Sequence, residues 1–242
     1  EQVDRIFAQY LPTVVIHCAA YTAVDKAESE KDLCYDINVN ATEHVAVACK
    51  KYHAELMYIS TDYVFGGSGD SAYEIDSPLD PQNVYGQTKA LGEKVVTRLL
   101  EKYYIVRISW VFGINGNNFV KAMLRLGAEK QSINVVNDQI GSPTYTYDLA
   151  GLLIAIIKSK KYGVYHATNE GTCSWAEFAE EIMMSAGLTC AVKPIVTAEY
   201  PTAALRPHNS RLSKASLDSA GFTRLPPWRD ALSRYLMEHK SD

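Results

Sequence analysis

The chain has 242 residues, 47% of them hydrophobic and 21% charged, with a net charge of −4 at pH 7. That length is enough for one large domain or two small ones with a buried core, and the composition is ordinary for a soluble globular protein. The negative charge and the lack of an Arg/Lys run speak against a nucleic-acid binder, and no apolar run approaches the roughly 18 residues of a membrane span.

Residues 1–10 place Val3, Ile6, Phe7 and Tyr10 on one face of a helix that Pro12 ends. The β-branched run 13–20 reads as a short strand buried on both faces. A helix is expected over 32–53, a strand over 55–60, a loop over the Gly/Ser/Asp-rich 66–81, a helix over 84–102 and a strand over 104–110. Helices near 118–130 and 147–158 and strands at 133–136 and 164–167 continue the alternation. That pattern implies parallel βαβ units and an α/β fold of the Rossmann-like, doubly wound kind. After Ala167 the texture changes. Ser174 and Glu177 form a capping box opening a helix that Gly187 closes. A stretch punctuated by Pro194, Pro201 and Pro207 then leads to a last helix over 228–239. The expected division is a dinucleotide-binding domain over 1–168 and a small substrate-binding cap over 169–242, with segments interleaved.

The five cysteines, Cys18, Cys34, Cys49, Cys173 and Cys190, are odd in number and never form C-x-x-C, so neither a disulfide framework nor a zinc site is suggested. Cys18 and Cys49 read as small core residues, and a reducing cytoplasm is the expected compartment. No signal-peptide pattern is visible, but the chain opens on Glu1 rather than Met, so its natural beginning need not be present.

Tyr85 and Lys89 stand four apart at the start of a helix, which puts phenol and ammonium on one face. A nearby ammonium favours phenolate and brings a phenol toward the working range of an acid–base group. With 16 tyrosines, one such spacing is also expected by chance. Ser60 and Thr61 lie where a strand stops, the end at which open α/β sheets bind ligands; the alternative is plain turn chemistry. The strand before Tyr21 ends on Ala19 and Ala20, small enough for a flat ring to approach. Trp110 ends another strand and could stack on a base or sugar, or be a core tryptophan. Arg206 could fork onto a pyrophosphate, or be an exposed surface arginine. The histidines show no metal-ligand spacing, and neither G-x-S-x-G nor a phosphate loop occurs.

The ordered runs 18–28 (CAAYTAVDKAE), 60–65 (STDYVF), 83–89 (NVYGQTK), 137–144 (NDQIGSPT) and 206–210 (RPHNS) resemble the dTDP-4-dehydrorhamnose reductases, a family of extended short-chain dehydrogenases. The resemblance implies reduction of the C4 ketone of dTDP-4-dehydro-6-deoxy-L-mannose by NADPH or NADH, in dTDP-rhamnose biosynthesis. It implies that Tyr85 donates the proton, Lys89 binds the nicotinamide ribose and lowers the Tyr85 pKa, and Thr61 hydrogen-bonds the substrate and tunes the transfer. Ala19, Ala20, Tyr21, Thr22, Ile59 and Ser60 would line the cofactor. Val24, Asp62, Tyr63 and Trp110 would contact the sugar nucleotide, and Arg206 would close over its diphosphate. A homodimer and an Mg²⁺ ion at a subunit interface are left open; neither nucleic acid nor membrane is an expected partner.

Sugar-nucleotide dehydratases follow the catalytic Thr with Asp-Glu, whereas here Tyr63 follows Asp62. Epimerases lack the run 23–28. The non-enzyme alternative is a binding module such as the methionine adenosyltransferase regulatory subunit. Two departures from the family stand out. Gly66 replaces the usual Asp. The opening strand, G-x-x-G-x-x-G turn and helix are not found, which corresponds to roughly 50 residues of the dinucleotide fold. Without that turn the pyrophosphate loses its backbone N–H cradle, so this chain alone is expected to be inactive, with an uncovered sheet edge.

Overall fold

The computed structural model describes residues 1–239. Helix α1 (Gln2–Tyr10) and strand β1 (Val14–His17) open the chain. Of the expected α1 stripe only Phe7 is buried, while Ile6 and Tyr10 are exposed. A short helix α2 (Val24–Ala27) was not expected from sequence. The helix expected over 32–53 comes in three parts: α3 (Lys31–Tyr35), a π-helical turn (Asp36–Asn40) and α4 (Ala41–Tyr52). Strand β2 (Glu55–Thr61) leads to the loop, then to α5 (Val84–Leu99) and β3 (Tyr103–Ile108).

Next come β4 (Val111–Phe112), α6 (Phe119–Glu129), β5 (Ser132–Val136), β6 (Ile140–Gly141), β7 (Thr144–Tyr145) and α7 (Thr146–Ser159). The chain continues with β8 (Gly163–His166), β9 (Asn169–Glu170), β10 (Cys173–Ser174) and α8 (Trp175–Ala186). It ends with β11 (Ala191–Ile195), α9 (Ala215–Ser219), β12 (Leu225–Pro227) and α10 (Trp228–His239).

The main sheet is parallel in the order β1-β2-β3-β8. Strand alternation sends successive side chains to opposite faces. Leu56, Tyr58 and Ile105 join Phe7, Ala46, Cys49, Val95 and Val96 on one face. Met57, Tyr104 and Val106 join Leu149, Leu152, Leu153 and Ile156 on the other. Helices therefore cover both faces, and the expected doubly wound α/β class is observed.

Strand β5 does not extend this sheet as the alternation suggested. It pairs in parallel with β11, a strand in the proline-punctuated stretch that local sequence reads as irregular. A separate core holds Phe112, Val120, Met123, Ile133 and Tyr145 together with Phe178, Ile182, Trp228 and Tyr235. It draws on residues from both sides of position 168. Among the described residues, no helix is long and apolar enough to cross a membrane.

Candidate active site

Helix α5 sets the site. Asn83 caps it, accepting from Gly86 N at 2.8 Å, so the helix starts immediately before Tyr85. A β-carbon on Gly86 would stand 2.2 Å from the Tyr63 carbonyl oxygen, so glycine is what lets the first turn lie against the segment after β2. A β-carbon on Gly92 would stand 2.2 Å from the Tyr58 hydroxyl, which explains how closely α5 packs on β2. The Tyr85 ring meets the Tyr63 ring edge-on, with centroids 5.5 Å apart.

Lys89 is buried. Its Nζ donates to the Ile59 carbonyl at 2.7 Å and lies 3.9 Å from the centre of the Tyr58 ring. An ammonium has three donors. No other acceptor among the described residues takes the remaining two. Burial pushes the Lys89 pKa down to about 7, opposed mainly by the Glu93 carboxylate.

The Tyr85 phenol is pushed up by burial, and the Thr61 hydroxyl is the main influence pulling the other way. Lys89 was expected to pull this phenol down; its ammonium is instead engaged by Ile59, and desolvation dominates the phenol. The result is a neutral Tyr85 at neutral pH.

The Thr61 hydroxyl donates to Asp62 Oδ1 at 2.9 Å. Asp62 is buried, and burial raises its pKa to about 6. Its Oδ2 has no hydrogen-bond partner, nor does the buried Ser210 Oγ, although Ser210 is close enough to lower the Asp62 pKa. The Ser60 hydroxyl turns away from Thr61 and donates to Glu93 Oε1 at 2.5 Å, so only the Ser60 backbone is left for a ligand.

The loop after β1 carries Ala19 and Thr22 exposed, and Ala20, Tyr21 and Val24 half-buried. Asn38, turned inward by the π-helical turn, accepts from Tyr21 N at 2.8 Å and donates to Tyr21 O at 3.3 Å. Such turns often mark functional sites. No local signal in the sequence singles Asn38 out. The Tyr21 hydroxyl donates to Glu30. Cys18, expected in the core, is exposed because β1 ends one residue earlier; Cys49 is buried as expected.

A cleft of about 640 Å³ runs beside this site, lined on one side by Tyr63, residues 65–69 and residues 82–83, and on the other by residues 197–198, 200–202 and 204–208. Arg206 lies in it, donating from Nη1 to the Tyr63 hydroxyl at 3.0 Å and from Nη2 to Asp25 at 2.6 Å. Asn83 Nδ2 also reaches this wall, donating to the Leu205 carbonyl at 2.8 Å. Trp110 stacks on Trp175 with centroids 3.7 Å apart and has a left-handed backbone, φ 51. A non-glycine residue in that region carries strain that neighbouring structure must hold. No group of three or more His, Cys, Asp or Glu among the described residues is placed to hold a metal.

A parallel sheet with helices on both faces, a Tyr/Lys helix beside the carboxyl end of a strand and an adjoining cleft define a Rossmann-like protein of the short-chain dehydrogenase type. The family model described as the RmlD substrate binding domain matches residues 1–241, and the chain belongs to that family. The spore coat polysaccharide biosynthesis protein SpsK of Bacillus subtilis is 44% identical over 239 residues, 99% of this chain and 84% of that protein. The dTDP-4-dehydrorhamnose reductase of Streptomyces griseus is 42% identical over 238 residues, 96% of this chain and 78% of that protein. A crystal structure of dTDP-4-dehydrorhamnose reductase from Bacillus anthracis, in complex with NADP, superposes with a TM-score of 0.96 at 46% identity. It covers 98% of this chain and 84% of that one.

Proposed function

We propose that this protein reduces the C4 ketone of dTDP-4-dehydro-6-deoxy-L-mannose to dTDP-L-rhamnose, using NAD(P)H. The observation that carries the reading is a half-buried Tyr85 phenol within the influence of the Thr61 hydroxyl, one helical turn from Lys89.

When bound, NAD(P)H supplies the hydride to C4. The chain's own residues do the rest. Tyr85 gives its proton to the C4 oxygen, and burial keeps that proton in place until the oxygen becomes basic. Thr61, whose hydroxyl donates to Asp62, lies close enough to the phenol to lower its pKa and orients it for the transfer. The two free donors of Lys89 suit a ribose diol. Ala19 and Ala20 are small enough to leave room for a flat ring, with Tyr21, Thr22, Ile59 and the Ser60 backbone around it. These residues fit the nicotinamide end of a dinucleotide. The chain holds no G-x-x-G-x-x-G run, and no residue is assigned to the pyrophosphate. Val24, Asp62, Tyr63, Trp110 and Arg206 form the proposed sugar-nucleotide side. A cytoplasmic location suits five cysteines that are all free.

The test is NAD(P)H oxidation by the full natural protein with this keto-sugar. Tyr85→Phe is expected to lower kcat by about 10²-fold or more, with dTDP affinity kept. Unchanged turnover would remove Tyr85 from the chemistry.

A further inference from the structure

Below the strand end that carries Thr61 lies a buried charged group that the reduction itself does not use. Tyr85, Lys89 and Glu93 follow one another at four-residue intervals along α5, which keeps them near one side of the helix. Two of them grip β2 at consecutive residues. Lys89 Nζ holds the Ile59 carbonyl at 2.7 Å, and Glu93 Oε1 accepts from the Ser60 hydroxyl at 2.5 Å. Thr61 is the next residue.

Glu93 is itself clamped. Arg107, opposite Ser60 in the parallel register, donates from Nε to Oε1 at 3.0 Å and from Nη2 to Oε2 at 2.7 Å. Its Nη1 donates to the Ile75 carbonyl at 2.9 Å. The same Nη1 lies 3.4 Å from Nε2 of His166, which stands opposite Arg107 on β8. Burial and the adjacent guanidinium push the His166 pKa down to about 3, so this ring is neutral. Its Nδ1 donates to the Ser213 carbonyl at 3.1 Å, leaving Nε2 to accept from Arg107. Ser60, Lys89, Glu93, Arg107 and His166 are all buried.

A buried ion pair is weak evidence of stabilisation, since apolar side chains of the same volume often serve as well. This pair holds the position of a strand end. We propose that Glu93 is a positioning residue for the reduction: clamped by Arg107 and bonded to Ser60, it fixes the end of β2 against α5 and so sets the placement of Thr61 relative to Tyr85 and Lys89. The proposal rests on the reductase reading above.

A second consequence separates positioning from mere support of the fold. Tyr58 and His17 from the sheet, Cys18 after β1, Cys34 on α3 and Glu93 on α5 face Lys89. Glu93 is the first of these in keeping the ammonium charged. Removing its charge lowers the Lys89 pKa further. The alkaline limb of kcat/KM against pH, which reports the free enzyme, then moves to lower pH.

The experiment uses the full natural protein, assayed for NAD(P)H oxidation with the keto-sugar alongside its melting temperature and dTDP affinity. Glu93→Gln is expected to cut kcat about tenfold or more with KM within about twofold, and to shift the alkaline limb downward. Because Glu93→Gln leaves Arg107 unpaired and can fail to fold, Ser60→Ala is the second variant. It leaves the Glu93–Arg107 pair intact, and kcat is expected to fall at least about fivefold while NADPH and dTDP affinities hold, with Ser60→Thr restoring activity. Wild-type kcat in Ser60→Ala would overturn the proposal, as would losses in kcat that track melting temperature and dTDP binding together. No turnover in the wild type overturns the reductase reading and this proposal with it.

Discussion

Arg206 Nη2 lies 2.6 Å from Asp25 Oδ2, a pair separated by 181 residues in sequence that ties the cleft wall to the segment after β1. Asp25 Oδ1 also accepts from the Ala204 backbone at 3.2 Å. A carboxylate thus occupies the guanidinium that the family resemblance would place over the sugar nucleotide's diphosphate.

Arg206→Ala is expected to weaken dTDP-sugar binding about tenfold to a hundredfold, the range for losing one charge-assisted bond. Arg206→Lys should fall between, because a point charge replaces a fork. Asp25→Asn removes the competitor. Its dTDP affinity should rise severalfold, while the melting temperature moves only a few degrees, since partly exposed pairs contribute about 0–1 kcal/mol. Calorimetry with dTDP checks both. A fall in affinity for Asp25→Asn would mean that Asp25 positions the guanidinium rather than competing for it.

Lys89 makes the fold's stability depend on alkaline pH. Its pKa is depressed from 10.5 to about 7, so between those values the unfolded chain holds a proton that the native state has lost. Stability therefore rises with pH across that window and is flat below it. Lys89→Met, which carries no charge to bury, should lack this rise. At about 1.4 kcal/mol per unit, the variant's advantage over wild type is several kcal/mol greater near pH 6 than near pH 10. Denaturant melts at the two pH values decide; parallel curves would show that the lysine is not held in a desolvated site.

Asp62 shifts the opposite way for an acid. Its pKa rises from 3.8 to about 6, so the native state binds the extra proton and stability falls as pH climbs through that interval. Asp62→Asn is isosteric and keeps an acceptor for Thr61. Above pH 6 it should be more stable than wild type by roughly 2–3 kcal/mol, and below pH 3.8 no different on this account. Urea denaturation at pH 5 and 7.5 or thereabouts measures the difference; an equal or lower stability for the variant near pH 7.5 would count against a desolvated carboxylate.

Gly86→Ala should be among the most damaging small substitutions. The new methyl would sit 2.2 Å from a backbone oxygen, which has no flexible end to move aside. A loss of about 1–3 kcal/mol or more is expected from overpacking, and kcat should drop as the first turn of α5 and its phenol shift. A thermal melt with a parallel turnover assay tests this. Gly151→Ala is the comparison for crowding, because nothing lies within 4 Å of a β-carbon there and its backbone is not left-handed.

Much of the architecture and part of the site could be read from the amino-acid sequence. The β-branched and apolar runs located three of the four strands of the main sheet to within a few residues, and the fourth, 164–167, within one. The Ser174/Glu177 capping box marked a helix start, because a cap bonds backbone only a few residues away. Four-residue spacing placed Tyr85 and Lys89 on one helix face, and the same spacing, continued once more, points to Glu93. These are local relations, set by the period of a helix or strand.

What the side chains are bonded to was decided only by the tertiary structure. Ser60 turns to Glu93 across 33 residues, Asn38 reaches Tyr21 through a π-helical turn, and β5 leaves the main sheet to pair with β11. Arg206 reads locally as either a phosphate binder or a surface arginine until Asp25 is seen against it. Each depends on strand register and on burial, which bring distant donors and acceptors within 3 Å or so and make every one of them find a partner or shift its pKa. The chain's pattern put a phenol and an ammonium on one helix face and a hydroxyl at a strand end; packing decided how charged, how oriented and how accessible each one is.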